Sequence, residues 1–321
     1  MREIAFVEVA SQMSGVEFST LYLAQHLDPT RWTPLVVCPE EGDLPLRCRA
    51  ASVPVEIVPR RYFLSTSIRL GKNTVVNPFA LVMNAVILAK SAARLAKFFH
   101  TRRPALVVPK GLLAQFYGGL AARLAGVPCV WHVQDRVSGR AGPLYAWSLA
   151  LAGRLVAREI IVDAESIARQ LAQFVARERI HVIPNGVDVR EFSPEADGSR
   201  VRTEWNVQSG ELLIGVVGRL THWKGQEVLL RAFAKIATEF PAARLAFIGA
   251  PVFDNDEYEQ ALRQETVRMS LTSRVIFAGF RWDMPQVFAA LDVVAHTALE
   301  KDSSPLAVVS AMAAGKAIVC S

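Results

Sequence analysis

The feature that most constrains the fold is a rhythm: short apolar runs alternate with longer stretches of helical period. The first series is IAFVEV at 4–9, PLVVC at 34–38, ALVVP at 105–109, PCVWHV at 128–133 and EIIVD at 159–163. It restarts with LLIGVV at 212–217, LAFIG at 245–249, RVIFAG at 274–279, DVVAH at 292–296 and AIVCS at 317–321. Strands that are apolar throughout, and separated by helices, predict parallel sheets covered on both faces. Between the series, residues 179–200 gather Pro, Gly, Asn and Asp without a long period, which reads as an interdomain linker. Two doubly wound α/β domains are therefore expected, at 1–184 and 185–321. The second series ends on a strand-like run at Ser321 with no closing helix, so an incomplete second domain, a fragment of a longer chain, is expected.

A length of 321 residues, more than one core usually serves, points the same way. With 51% hydrophobic and 21% charged residues the chain can bury sizeable cores, which excludes disordered and collagen-like classes. The longest apolar stretch, Phe79 to Ala89, is shorter than the about 20 residues a bilayer requires, so no transmembrane helix is expected. MREIAFVEVA has no long apolar h-region and runs straight into a strand pattern; a cytoplasmic location is expected. Cys38, Cys48, Cys129 and Cys320 lack CxxC spacing, against both a zinc site and a disulfide framework. The formal charge of +6 suggests phosphorylated small molecules or anionic lipid as partners, whereas no nucleic-acid recognition motif appears.

Residues 215–236 read GVVGRLTHWKGQEVLLRAFAKI, a strand, a loop with two cations, then a helix. In open α/β sheets ligands sit beyond the carboxyl ends of strands, where loops enter helices. Gly218 permits close backbone approach, and Leu229, Phe233, Ile236 and Phe240 are expected to turn one helix face to the sheet. Arg219 and Lys224 are left beside a helix N-terminus, a combination suited to a pyrophosphate. The bland reading is that both are solvated surface cations, as most Arg and Lys are.

VIPNGVD at 182–188 with Phe192, VVGRL…KG at 216–225 and AMAAGKAIV at 311–319 resemble the retaining glycosyltransferases of family 4. FAGFRWDMPQVFAALDVVAHTA at 277–298 and MSGVEFSTLYLAQHL at 13–27 add to the resemblance, which covers nearly the whole chain. It implies the GT-B architecture: two Rossmann-like domains facing a cleft, the first on the acceptor side and the second holding a nucleotide-sugar donor, UDP- or GDP-linked. Transfer would retain the anomeric configuration without a metal. The acceptor would be a glycan, a lipid-linked sugar or a small molecule, in polysaccharide biosynthesis. The resemblance makes Arg219 and Lys224 diphosphate ligands that stabilise the leaving group, and assigns Gly218, Gly249 and Phe280 to donor binding. It places Gly15, Glu17 and His132 at the acceptor side, His132 also being a candidate catalytic residue. By itself, a histidine at a strand end is more often a satisfied core residue.

The chain departs from the family at its paired glutamates, which have seven residues between them. Asp302, by the resemblance a catalytic and donor-binding candidate, keeps a shorter carboxylate near the expected donor sugar, and Ser310, also expected at the donor, has none. Loss of a charge-assisted bond to ribose would cost roughly 1.5 to 3 kcal/mol, and Glu300 is a candidate stand-in. Two alternatives stay open: metal binding at Asp254-Asn255-Asp256, which reads more simply as a turn, and a degenerate homologue that binds sugar nucleotide or acceptor without turnover. Lys90, Arg94 and Lys97 form a basic helical stripe within 78–99, either a solvated face or a peripheral contact with anionic membrane.

Overall fold

The computed structural model describes the chain apart from residues 71–72, 135–141, 252–255 and 301; for 67–70, 73–74, 76, 142–146 and 150 it describes the backbone course alone. The chain divides into two compact units, Met1–Pro184 and Asn185–Ser321.

The first unit runs β1 (Arg2–Val7), α1 (Gly15–Gln25), β2 (Trp32–Cys38), α2 (Asp43–Ala50), β3 (Val55–Ile57), β4 (Ser67–Leu70), β5 (Asn73–Val76) and α3 (Pro78–Arg102). It continues with β6 (Leu106–Pro109), α4 (Leu112–Ala125), β7 (Val130–Val133), α5 (Gly142–Val156), β8 (Glu159–Val162), α6 (Glu165–Leu171) and β9 (Ile180–Val182). Parallel strands order as β3-β2-β1-β6 and as β7-β8-β9, and single bridges from Val107 to Cys129 and from Lys110 to His132 join the two sets. Successive residues of a strand point to opposite faces, and here both faces are core. Ala5, Val7, Leu35 and Val37 pack with Ala92, Leu95 and Phe99 of α3, while Ile4, Phe6, Val36 and Cys38 pack with Leu21 and Leu44 of α1 and α2.

The second unit runs α7 (Ser199–Glu204), β10 (Leu212–Val217), α8 (Gln226–Ile236), β11 (Ala243–Ile248), α9 (Glu257–Arg268), β12 (Val275–Gly279), α10 (Met284–Ala290), β13 (Val293–His296), α11 (Leu306–Ala313) and β14 (Ala317–Cys320). Its parallel sheet orders β12-β11-β10-β13-β14. The α/β class with parallel sheets is thus as expected.

Several local expectations need correction. Residues 179–200 hold β9, and β3 and the antiparallel pair β4–β5 were not signalled by the apolar runs. Of the face expected on α8, Phe233 is buried and Leu229 packs partly buried against the core, whereas Ile236 and Phe240 are exposed and Gln226, Leu230 and, just beyond the helix, Ala237 are buried instead. The phase shifts because Gln226 turns inward, its amide donating to the Arg219 carbonyl at 2.7 Å. Helix α3, in contrast, follows the helical pattern at 78–99 closely, since Lys90 interrupts the apolar run of Phe79–Ala89 without ending the helix. Asn77 caps it by accepting from the Ala80 N–H at 3.2 Å, Pro78 opens it, and left-handed Arg103 closes it. Over its 25 residues it is long and apolar enough to cross a membrane by length and composition alone, as core helices also can be.

Phe192 lies in the segment read as linker, yet it is buried edge-on against Phe288 of α10, ring centroids 5.8 Å apart. Phe192→Ala should therefore destabilise the second unit by about 3 to 5 kcal/mol. Urea unfolding checks this, and a loss below about 1 kcal/mol would mean that the segment contributes nothing to the fold.

Candidate functional site

In the second unit the chain turns from β10 into α8 through a loop that the ends of neighbouring strands shape closely. The Gly218 N–H donates to the Ile248 carbonyl at 2.9 Å, and a Cβ at Gly249 would run into the Gly218 carbonyl. Two strand ends this close leave room for glycine alone. Beyond them His222–Lys224 form one 3₁₀ turn, and Gly225, with φ +67, adopts the left-handed conformation that starts α8. A side chain at Gly225 would meet the Thr297 carbonyl, and the Thr297 hydroxyl donates to the carbonyls of Lys224 and Gly225 at 3.2 and 3.1 Å. The loop after β10 is thereby fastened to the loop after β13.

This fastening brings Lys224 to Asp302, 78 residues away, where ammonium and carboxylate form an ion pair. The pair is half-buried, with side-chain exposures of 15% and 21%, so solvent screens it only in part. The Lys224 ammonium also lies 4.3 Å from the centroid of the Trp223 ring, and the Arg219 guanidinium lies 5.8 Å from the same centroid. Two cations share one indole, and no carboxylate pairs with Arg219 among the described residues. His296 Nε2 is 3.7 Å from Asp302, too far for a hydrogen bond. Burial, and next the charge of Lys224, lower the His296 pKa, so at neutral pH the imidazole adds no charge to the cluster.

Phe280 follows β12 and stands edge-on to Trp282 at 4.7 Å, both rings partly exposed. Between them Arg281 turns inward and pairs with Glu204 of α7 and with Asp283 at 2.7 Å, which fixes the loop that carries the two rings. Ser310 is buried in α11, and Glu300 is exposed. Asp254 and Asn255 lie outside the described residues; among the described residues no cluster of three His, Cys, Asp or Glu is arranged to hold a metal ion.

In the first unit Gly15 opens α1 with free space around it. Glu17, by contrast, is buried and accepts from the Ser14 hydroxyl at 2.5 Å. It belongs to a buried set with Glu8 beyond β1, Lys110 beyond β6 and His132 in β7. Thr20 donates to the Glu8 carboxylate, and Lys110 Nζ donates to the Ser19 hydroxyl at 3.2 Å. Burial, and then the charge of Glu17, raise the Glu8 pKa, while burial lowers that of Lys110. His132 is enclosed, its Nε2 unpartnered, and burial plus the Lys110 charge hold it well below 6.5, hence neutral. Lys110 thus links the expected Glu17 and His132, whereas Gly15 stands apart at the surface.

Sequence reasoning missed Glu8, Lys110, Trp223 and Trp282. For the first two a signal was present: a lone charge directly after an apolar run, in VEV and VPK.

With this geometry in view, residues 13–191 match the profile of Glycosyltransferase Family 4, and residues 199–321 match Glycosyl transferases group 1. The chain belongs to Glycosyltransferase Family 4. Among curated relatives, the UDP-Gal:alpha-D-GlcNAc-diphosphoundecaprenol alpha-1,3-galactosyltransferase of Escherichia coli is 25% identical, the match covering 98% of this chain and 77% of that protein. The D-inositol 3-phosphate glycosyltransferase of Nocardia farcinica is 29% identical over 50% of this chain and 38% of its own length. Among solved structures, Anabaena HepE in complex with UDP-glucose superposes with a TM-score of 0.81 at 25% identity, covering 100% of this chain and 80% of that one. A Rickettsia africae glycosyltransferase, at 17% identity and a TM-score of 0.75 over 99% and 79% of the two chains, shares the fold. The architecture is GT-B, and the protein is a glycosyltransferase; nothing in these likenesses supports the degenerate reading.

The buried charges predict a pH signature. Because the Glu8 pKa is raised in the fold, the native state binds the extra proton, and Glu8 subtracts stability as pH rises above about 4.5. Lys110→Met removes the cation that counters this trend. The variant should therefore lose more stability near pH 8 than near pH 5, read by urea unfolding. Equal losses at both pH values would assign Lys110 a packing role instead.

Proposed function

We propose that the protein transfers a sugar from a UDP-linked donor to a lipid-linked acceptor with retention of configuration. The observation that carries this reading is the Lys224–Asp302 pair beside Trp223, with Arg219 open to solvent at the same ring. A donor diphosphate would take the place of Asp302 on Lys224 and engage the Arg219 fork in a bidentate manner. Fixed cations in a partly dry site stabilise the charge that grows on departing UDP, the term that is usually largest in such catalysis. Asp302, freed from Lys224, would then face the donor sugar.

The remaining assignments follow the same division. Gly218 and Gly249 let the backbone approach the diphosphate, and Phe280 offers a ring to the base. Ser310 brings no charge to the ribose, so binding there would rest on neutral hydrogen bonds. The second unit would hold the donor and the first the acceptor, with Gly15 at its surface. Neutral His132 would serve as a hydrogen-bonding residue, oriented by the set around Glu17 and Lys110. UDP is preferred as carrier because the E. coli relative is named for UDP-Gal and HepE was solved with UDP-glucose; a lipid-linked acceptor is preferred because the E. coli relative is named for a diphosphoundecaprenol substrate. The reading makes the protein a cytoplasmic enzyme of glycan assembly, with a UDP-sugar as co-substrate and no metal.

Isothermal titration with UDP, without metal, tests the donor site. Arg219→Ala and Lys224→Ala should each weaken binding by about tenfold to hundredfold. Asp302→Asn separates competition from simple support: UDP should bind several-fold more tightly while turnover of the UDP-sugar falls. Absence of UDP binding by the folded chain, or weaker binding in Asp302→Asn, would overturn the assignment.

A further inference from the structure

From Ile57 to Arg158 the chain carries fifteen Lys and Arg but one acid, Asp135, although the whole protein has 36 and 30. That stretch is formally +14 within a chain of +6, so the remainder is −8. Such segregation is not needed to fold a sheet. It leaves α3 with Lys90, Arg94, Lys97 and Arg102 and no acid, while α4 and α5 carry one cation each, Arg123 and Arg154, and again no acid; α4 packs against both of the others.

The inner sides of these helices serve the core, through Leu95 and Phe99 on α3, Tyr117 and Ala121 on α4 and Leu149 on α5. Their outer sides are unusual. On α3, Phe79, Val82 and Val86 follow one another at spacings of three and four and are 67%, 64% and 40% exposed. The same line continues into Lys90, Arg94 and Lys97, all exposed. One face of one helix is therefore apolar in its first half and cationic in its second. On α5, Trp147, Leu151 and Leu155 form a second exposed apolar line at spacings of four, with exposed Arg154 beside it. Solvated surface helices carry their large apolar residues inward. Two outward apolar lines flanked by cations match a surface that meets hydrocarbon and anionic headgroups together.

A membrane-spanning α3 does not fit, although its length and composition would permit one. Crossing a bilayer would draw Lys90, Arg94 and Lys97 into hydrocarbon and pull Leu95 and Phe99 from the core. A helix lying in the plane of the interface keeps its inner side packed and wets only its charges. We infer that the outer face of α3 and α5 docks on an anionic lipid bilayer. Phe79, Val82, Val86 and Trp147 enter the headgroup boundary, and Lys90 and Lys97 meet lipid phosphates. This goes beyond the donor reading and stands without it, because the surface is argued from the first unit alone.

Flotation of the full chain with vesicles tests it. The protein should rise with vesicles of equal parts phosphatidylglycerol and phosphatidylcholine, and far less with phosphatidylcholine alone. Raising salt from about 0.1 to 0.5 M should weaken the binding. Phe79→Ser/Val82→Ser/Val86→Ser and, separately, Lys90→Glu/Lys97→Glu should each lower partitioning by at least about tenfold. These side chains are exposed, so melting temperature and UDP affinity should match the parent and certify folding. Failure of the folded parent to float, or equal flotation of the variants, would overturn the inference. Light scattering supplies the remaining outcome: a dimer that the triple Ser variant dissociates would assign the face to a second copy of the chain.

Discussion

Everything in this protein depends on strands that are buried on both faces. A parallel strand with helices above and below has no wet side, so its middle can hold only apolar groups. Polar chemistry is pushed to the strand ends, where the chain leaves the core. Each unit shows the result. Glu8 and Lys110 stand immediately past β1 and β6, and Arg219 and Lys224 stand just past β10. The two sets differ in access: the first is sealed under α1 and the second is half-open, which suits the first to holding structure and the second to binding a ligand.

The half-open set is built around a compensated charge. Lys224 meets Asp302 because Gly225 lets two loops touch, and Trp223 gives both cations an aromatic face. A paired lysine in partial solvent has a modest cost, whereas an unpaired one at 15% exposure would be expensive. The carboxylate therefore keeps the ammonium in place without committing it. An incoming anion has only to outbid a single aspartate, which is two negative charges against one in the case of a diphosphate.

The strands were legible because both-face burial writes itself as unbroken Val, Ile and Leu. Short β3 and β9 escaped for the same reason in reverse: three residues are too few to make a run, and β9 leads into Pro184-Asn185-Gly186. The face of α8 was misread because apolar spacing ignores polar burial, and Gln226 sets the helix phase through one hydrogen bond. At the site, Arg219, Lys224 and Asp302 could be named individually, the first two from residue type and spacing and the third through the family resemblance. Their association could not, since Lys224 and Asp302 are far apart in sequence and meet through glycine contacts that no local pattern encodes. The buried set around Glu8 is the same case, assembled by strand order. The span of α3 was legible at 78–99 because Lys and Arg are good helix formers and carry the helical period past the end of the apolar run.

The indole between Arg219 and Lys224 has an optical consequence. A tryptophan excited state shifts charge across its ring, so its emission responds to the electrostatic field in which it sits. Trp223 lies in a field set by two fixed cations and one aspartate, and any anion that redistributes those three charges must change that field. The protein thus carries its own fluorescent gauge at the place where its electrostatics are most open to change, with no label required.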